Sequence, residues 1–249
     1  MFSLLFRSPA DEDLLVAELW ESGTLGIATC AEGLQAFFDS SQDVSPLLAR
    51  FAADRPELKH EPDTDWEQKT REAWPALAIG RRLYLVAPWN TEPAPGHRLR
   101  LEIEPGMACG TGRHPATQLC LEALETVVRP GMLVVDVGTG SGILSKAATL
   151  LGAGSAIGCD IDYDSVAIAA GRLPGHVFAG SADAVRSGSA DLIVANIDAW
   201  AIETISEELA RIRKPGAPMI LSGFREDDLP QGFDARESLR RDGWAGLIV

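Results

Sequence analysis

Asp136-Val137-Gly138-Thr139-Gly140-Ser141-Gly142 follows the apolar run Met132–Val135 and precedes a helical pattern over residues 143–151. A buried strand that enters alternating glycines and then a helix makes a tight turn, with no side chains between a ligand and the backbone. Its N–H groups are expected to lie exposed at the helix start. A phosphate-binding P-loop needs Lys and then Ser or Thr after the last glycine, but Ile143-Leu144 stands there. A dinucleotide fingerprint needs its third glycine at residue 143, which is Ile. The remaining cofactor class is an S-adenosylmethionine fold, where an amino-acid tail lies over the loop in place of a pyrophosphate. A tight turn without a ligand is the alternative.

Outward from this turn, apolar strands alternate with helices, the pattern of a doubly wound parallel sheet covered on both faces. The strands are expected at 132–137, 155–160, 176–179, 191–196 and 218–222, with helices at 143–151, 165–170 and 201–213. The tail Gly246–Val249 is expected to add an edge strand. Upstream, residues 1–62 read as a small α+β domain. It has a strand at Phe2–Phe6, a helix opened by Pro9-Ala10-Asp11 that carries Leu14, Leu15, Ala17, Leu19 and Trp20, strands at 26–29 and 34–38, and a helix at 46–51. Residues 63–90 are read as a linker, polar from His60 to Asp65, then a helix from Asp65 to Trp74 and an apolar strand at 81–88. Residues 91–249 form the cofactor-binding domain.

The 249 residues carry 22 Lys and Arg against 36 Asp and Glu, a net charge of −14. A field of that sign favours basic proteins or cationic small molecules and disfavours free nucleic acid. No apolar run is long enough to cross a bilayer, and the start MFSLLFRSPADEDLL lacks the basic and small-residue features of a secretory leader. A cytoplasmic, reducing setting is expected. Cys30, Cys109, Cys120 and Cys159 form no CxxC pair and have no His at ligand spacing, which argues against zinc and against a disulfide framework.

Asp160 ends the second strand 22 positions past Gly138, near the offset at which a carboxylate meets a ribose. Asp162 is read as a helix N-cap, and Asp183 as either an adenine contact or an exposed loop residue. Asn196 ends the fourth strand, where an open α/β sheet binds its ligands. Its carboxamide oxygen can accept from a substrate amine and aim the nitrogen lone pair; a turn-forming Asn is the alternative. The segment Pro105–Thr117 is a glycine-rich loop ahead of a helix expected at 118–126. It offers the hydroxyls of Thr111 and Thr117, the imidazole of His114 as a base or a cap, and Cys109, best explained as a small buried thiol.

The runs EPGMACGTGRHPATQLCLEAL, VVDVGTGSGILSKAATLLGAGSAIGCDID and VANI resemble the PrmA family, methyltransferases that modify ribosomal protein L11. DWEQKTREAWPALAIGRRLYLVAPW is similar to the family segment that joins a small ferredoxin-like domain to the catalytic one. The resemblance implies a class I, Rossmann-like methyltransferase domain behind that small domain, S-adenosylmethionine as cofactor, and transfer to lysine or α-amino groups of a basic protein. It places Thr117, Gly138, Asp160 and Asn196 against the cofactor, with Thr111 and Gly140 as further candidates and Asn196 as the catalytic residue. Cys109 and Arg113 stand where the family usually has Phe and Thr, and Asn196-Ile197-Asp198 replaces a longer apolar run. A small-molecule methyltransferase and a cofactor-binding protein without transfer activity are the rival readings.

Overall fold

The computed structural model describes residues 1–7, 12–30, 32–60, 74–104, 111–173 and 175–249, and of residues 12–14 and 17 the backbone alone. The chain divides into two compact units, Met1–Glu72 and Ala73–Val249.

The first unit runs β1 (Phe2–Phe6), α1 (Glu12–Glu21), β2 (Gly26–Cys30), β3 (Gly33–Phe38), α2 (Val44–Arg50) and β4 (Glu57–His60). Its sheet has the order β2-β3-β1-β4, with antiparallel neighbours. This is the ferredoxin-like βαββαβ arrangement. Alternation in β3 turns Leu34, Ala36 and Phe38 inward, onto Leu4, Phe6, Leu19 and Phe51. Phe6 meets Phe51 edge-on at 5.7 Å. Asp43 caps α2 by accepting from Ser45 N at 2.9 Å, which starts that helix ahead of the expected residue 46. Two expectations need correction. Trp20 faces outward, 56% exposed, and His60 belongs to β4, paired with Phe2, and not to a linker. The helix start at Pro9-Ala10-Asp11, the side chains of Leu14 and Ala17, and all of the 65–74 helix but Trp74 lie outside the described residues.

The second unit begins with a small sheet, β5 (Leu77–Ile79), β6 (Leu83–Val86) and β7 (Leu99–Glu102), in which β5–β6 is antiparallel and β6–β7 parallel. The strand expected at 81–88 is thus the middle of this sheet. α3 (Pro115–Val127) holds the sheet's hairpin through Glu125, whose carboxylate accepts from Arg81 N, Arg82 N and Leu83 N at 2.8, 2.8 and 3.0 Å. Arg98 donates to the carbonyls of Ile79, Gly80 and Leu83 in the same hairpin.

The main sheet has seven strands: β8 (Leu133–Val137), β9 (Ser155–Asp160), β10 (Val177–Ala179), β11 (Leu192–Asn196), β12 (Met219–Arg225), β13 (Glu237–Arg241) and β14 (Trp244–Ile248). Their order is β10-β9-β8-β11-β12-β14-β13, parallel up to β12 and antiparallel after it. Helices α4 (Ile143–Leu150), α5 (Tyr163–Arg172), α6 (Ala199–Thr204) and α7 (Ser206–Ile212) follow β8, β9 and β11. The central strands are buried on both faces. Val134 and Val194 pack with Leu121, Leu144 and Ile220, while Val135, Ile193 and Ala195 pack with Ile202, Leu209 and Leu221.

The tail strand is not at the edge. Asp242 and Gly243 both adopt positive φ, +50° and +77°, and make the two-residue turn that lays β13 outside β14. α3 starts at Pro115 instead of residue 118, because proline is preset for the first helical position and His114 Nδ1 accepts from Ala116 N as its cap. The helix expected at 201–213 starts earlier, capped by Asp198, and breaks at Ile205 into α6 and α7.

Candidate active site

The carboxyl ends of β8, β9, β10 and β11 surround a cleft of about 560 Å³, within the size range of small-ligand sites. Gly138, Gly140, Asp160 and Asn196 line it.

The glycine turn is anchored from beneath by Asp136. This carboxylate is fully buried, and its Oδ2 accepts from Thr139 Oγ1 at 2.8 Å, Ser145 N at 3.0 Å and Ser145 Oγ at 2.9 Å. Its Oδ1 is buried without a partner. Burial pushes the Asp136 carboxyl up to about 6, the three hydrogen bonds pull it down, and the nearby Asp160 charge adds to the rise. Arg172 fastens the turn from outside, donating to Ser141 O at 2.7 Å and to Glu104 O at 3.1 Å.

Part of the turn's N–H set is used within the turn itself. Gly138 N and Thr139 N donate to Cys159 O, Gly140 N to Asp160 Oδ2 and Gly142 N to Thr139 O. What the turn offers a ligand is bare glycine surface. At Gly138, with φ +73°, an added Cβ would stand 2.4 Å from Ile197 Cγ2, so glycine is what lets the turn take this conformation and pack closely against Ile197 at the edge of the cleft. With these four donors engaged, the glycine stretch offers a ligand van der Waals surface more than hydrogen bonds.

Asp160 is held in place by Gly140 N at 2.8 Å on Oδ2 and Asp162 N at 3.0 Å on Oδ1. A carboxylate accepting two bonds keeps lone pairs for two further donors. Asp162 caps α5 as expected, accepting from Asp164 N, Ser165 N and Ser165 Oγ, and these bonds hold its carboxyl below the usual carboxylate range.

Asn196 and Thr117 meet from opposite ends of the sequence. Asn196 Nδ2 donates to Thr117 Oγ1 at 3.0 Å, and Asn196 Oδ1 is buried with no partner. Thr117 is 1% exposed and stands behind Asn196, outside the cleft lining. Gly223 supports the same corner: at the irregularity between Ser222 and Phe224, φ is +102°, and a Cβ there would come within 2.4 Å of Ile197 O.

The structure does not bring Thr111 or Asp183 into this cleft. Thr111 lines a smaller one with Trp74, Pro75, Leu85, Ile103 and Arg113, where Arg113 sits 4.9 Å over the Trp74 ring and binds Pro75 O. Asp183 lies on a 3₁₀ turn whose carbonyls bind Arg211. His114 is a helix cap, its ring 4.3 Å from that of Trp244. Cys109 lies outside the described residues. Sequence reasoning missed Ile161, Ser181, Trp200, Thr204 and Ile205 as cleft residues. The first two directly follow strands or their turns, so the strand-end rule reaches them. No spacing signal marks the inner face of α6. Among the described residues, no helix is long and apolar enough to cross a membrane.

The family model for ribosomal protein L11 methyltransferase (PrmA) matches residues 26–249. The ribosomal protein L11 methyltransferase of Deinococcus radiodurans is 35% identical over 261 residues, covering 99% of this chain and 92% of the relative. That of Burkholderia pseudomallei is 39% identical over 198 residues, 76% of this chain and 66% of the relative. The crystal structure of ribosomal protein L11 methylase from Lactobacillus delbrueckii subsp. bulgaricus superposes with a TM-score of 0.61 at 29% identity, over 70% of this chain and 96% of that one. With the matched span taking in the glycine turn, Asp160 and Asn196, the chain belongs to the ribosomal protein L11 methyltransferase (PrmA) family.

Proposed function

We propose that this protein is an S-adenosylmethionine-dependent N-methyltransferase whose acceptor is a lysine or α-amino group of ribosomal protein L11. The observation that carries the reading is Asn196: an amide pinned through Nδ2 by a buried threonine, its Oδ1 without a partner, at the strand end beside the glycine turn. Family membership and an acidic chain, net charge −14, support a basic protein acceptor. A ribosomal acceptor places the reaction in the cytoplasm.

Gly138 and Gly140 form the open floor for S-adenosylmethionine, and Asp160 accepts from its ribose hydroxyls. The cofactor supplies a methyl group on a sulfonium, so attack by a neutral amine breaks an S–C bond, forms an N–C bond and leaves the nitrogen positively charged. Asn196 Oδ1 accepts an N–H bond from that amine and turns its lone pair toward the methyl group; catalysis here is alignment. Thr117 acts through Asn196, holding its amide so that oxygen and not nitrogen faces the acceptor. A lysine with an ordinary pKa near 10.4 gives up its proton to water before attack. Thr111 has no contact role in this reading.

The test is transfer of label from methyl-labelled S-adenosylmethionine to purified L11, with mass spectrometry of the product. Label on lysine or the α-amino group is expected. Cofactor binding with label only on small molecules, or with none, would overturn the proposal, as would saturable NADH binding without S-adenosylmethionine binding.

A further inference from the structure

We infer that Asp198 and Trp200 form a cation-selecting mouth on the acceptor side of the cleft, fitted to a primary ammonium group. The inference rests on the N-methyltransferase reading above and names how that acceptor is captured.

Both residues line the cleft, two and four positions beyond Asn196. Its lining carries three carboxylates, Asp160, Asp162 and Asp198, and no Lys, Arg or His. Asp160 and Asp162 have both oxygens engaged by donors of their own loops. Asp198 is exposed, and only its Oδ1 is used, accepting from Ala201 N at 2.8 Å; Oδ2 has no partner among the described residues. Trp200 follows in the first turn of α6 with 74% of its surface exposed. A carboxylate and an exposed indole lining the same cleft are groups that attract an alkylammonium by charge and by the ring quadrupole. Capping does not require the charge, because Asn and Ser cap helices as well as Asp.

The chemistry makes the capture distinguishable from alignment. A carboxylate near the amine favours its charged form, so Asp198 tightens binding and opposes the loss of the proton that attack requires. Removing the charge should therefore weaken capture while letting the amine deprotonate at lower pH.

The experiment uses the full chain with L11 as acceptor, comparing wild type with Asp198→Asn, which keeps the cap, and Trp200→Leu. Affinity is read by calorimetry with S-adenosylhomocysteine present, at low and high salt, and the rate by single-turnover transfer across pH. Asp198→Asn is expected to raise Kd about two- to fivefold at low salt, with the gap closing at high salt. The rising limb of its rate profile should move down by about half a pH unit. Trp200→Leu should raise Kd about two- to fivefold with no movement of that limb. An Asp198→Asn variant equal to wild type in affinity, salt response and pH limb overturns the inference and leaves Asp198 a helix cap. Wild-type protein that binds L11 with this charge dependence but transfers no methyl overturns the function alone. Wild-type protein that neither binds nor methylates L11 overturns both.

Discussion

Asp136→Asn tests how the glycine turn is held. The Asp136 carboxyl is raised from 3.8 to about 6, with burial the largest cause. A shift of that size corresponds to about 3 kcal/mol between its protonated and ionised forms. Its sign follows from proton counting. Between these two values the folded protein binds more protons at this site than the unfolded chain does, so stability falls as pH rises through the window. Above about 6 the whole cost is present; below about 4 it is gone. Asparagine can present its carbonyl to Thr139 Oγ1, Ser145 N and Ser145 Oγ in place of Oδ2, but it puts an N–H₂ where Oδ1 now has no partner. Two buried donors without acceptors cost about 1–3 kcal/mol, so the net gain at neutral pH is small, about 0–2 kcal/mol. The pH dependence is the sharper signature. The stability difference, variant minus wild type, should grow by about 1 kcal/mol between pH 5 and pH 7.5, because only the wild type carries the titrating group. Urea unfolding at both pH values measures this, with the transition of the 73–249 unit followed by pulse proteolysis so that the two units are read separately. A difference that stays flat with pH, or that moves in the wild type's favour as pH rises, would refute an ionised, burial-strained carboxylate beneath the turn.

Other consequences follow from the same contacts. Thr117→Val leaves Asn196 Nδ2 buried without its acceptor; transfer should fall about tenfold or more with little change in cofactor affinity, while Thr117→Ser retains most of the rate. Asp160→Ala should weaken S-adenosylmethionine binding by about 2 kcal/mol or more in calorimetry, since it removes charge-assisted hydrogen bonds, and leave its kcat at saturation less affected. Glu125→Ala strips three backbone N–H groups of their acceptor and should destabilise the 73–249 unit by about 2 kcal/mol in urea. Gly223→Ala forces a Cβ to within 2.4 Å of Ile197 O at positive φ, and should cost at least about 1–2 kcal/mol and displace Asn196, seen as lost transfer.

The parallel half of the main sheet was legible because each strand is a continuous apolar run, as in Leu192–Ala195, bounded by polar or glycine residues. β13 was not: Glu237-Ser238-Leu239-Arg240-Arg241 is polar, and its signal was the Asp242-Gly243 turn that follows it. β4, β5 and β7 were hidden because strands of three or four residues carry too little pattern outside a repeating strand–helix alternation, which is what placed the equally short β10. At the site, Asp160 and Asn196 were visible as polar residues closing apolar strands. The pairing of Thr117 with Asn196, 79 positions apart, has no local signature; the family motif flagged Thr117, and only the fold shows that it touches Asn196. Trp200 was invisible for another reason. The helix expected from residue 201 left Trp200 in the preceding loop, and only the earlier start, capped by Asp198, puts it in the first helical turn at the cleft.

The most direct test of the account sets Asn196→Ala beside wild type in two measurements on one preparation: S-adenosylmethionine affinity by calorimetry, and single-turnover methyl transfer to L11. Alignment by Oδ1 predicts cofactor affinity within about threefold of wild type and a transfer rate lower by about 10²-fold or more. A variant that transfers at the wild-type rate would contradict the role given to Asn196, and one whose transfer falls only in step with lost cofactor affinity would make it a binding residue alone.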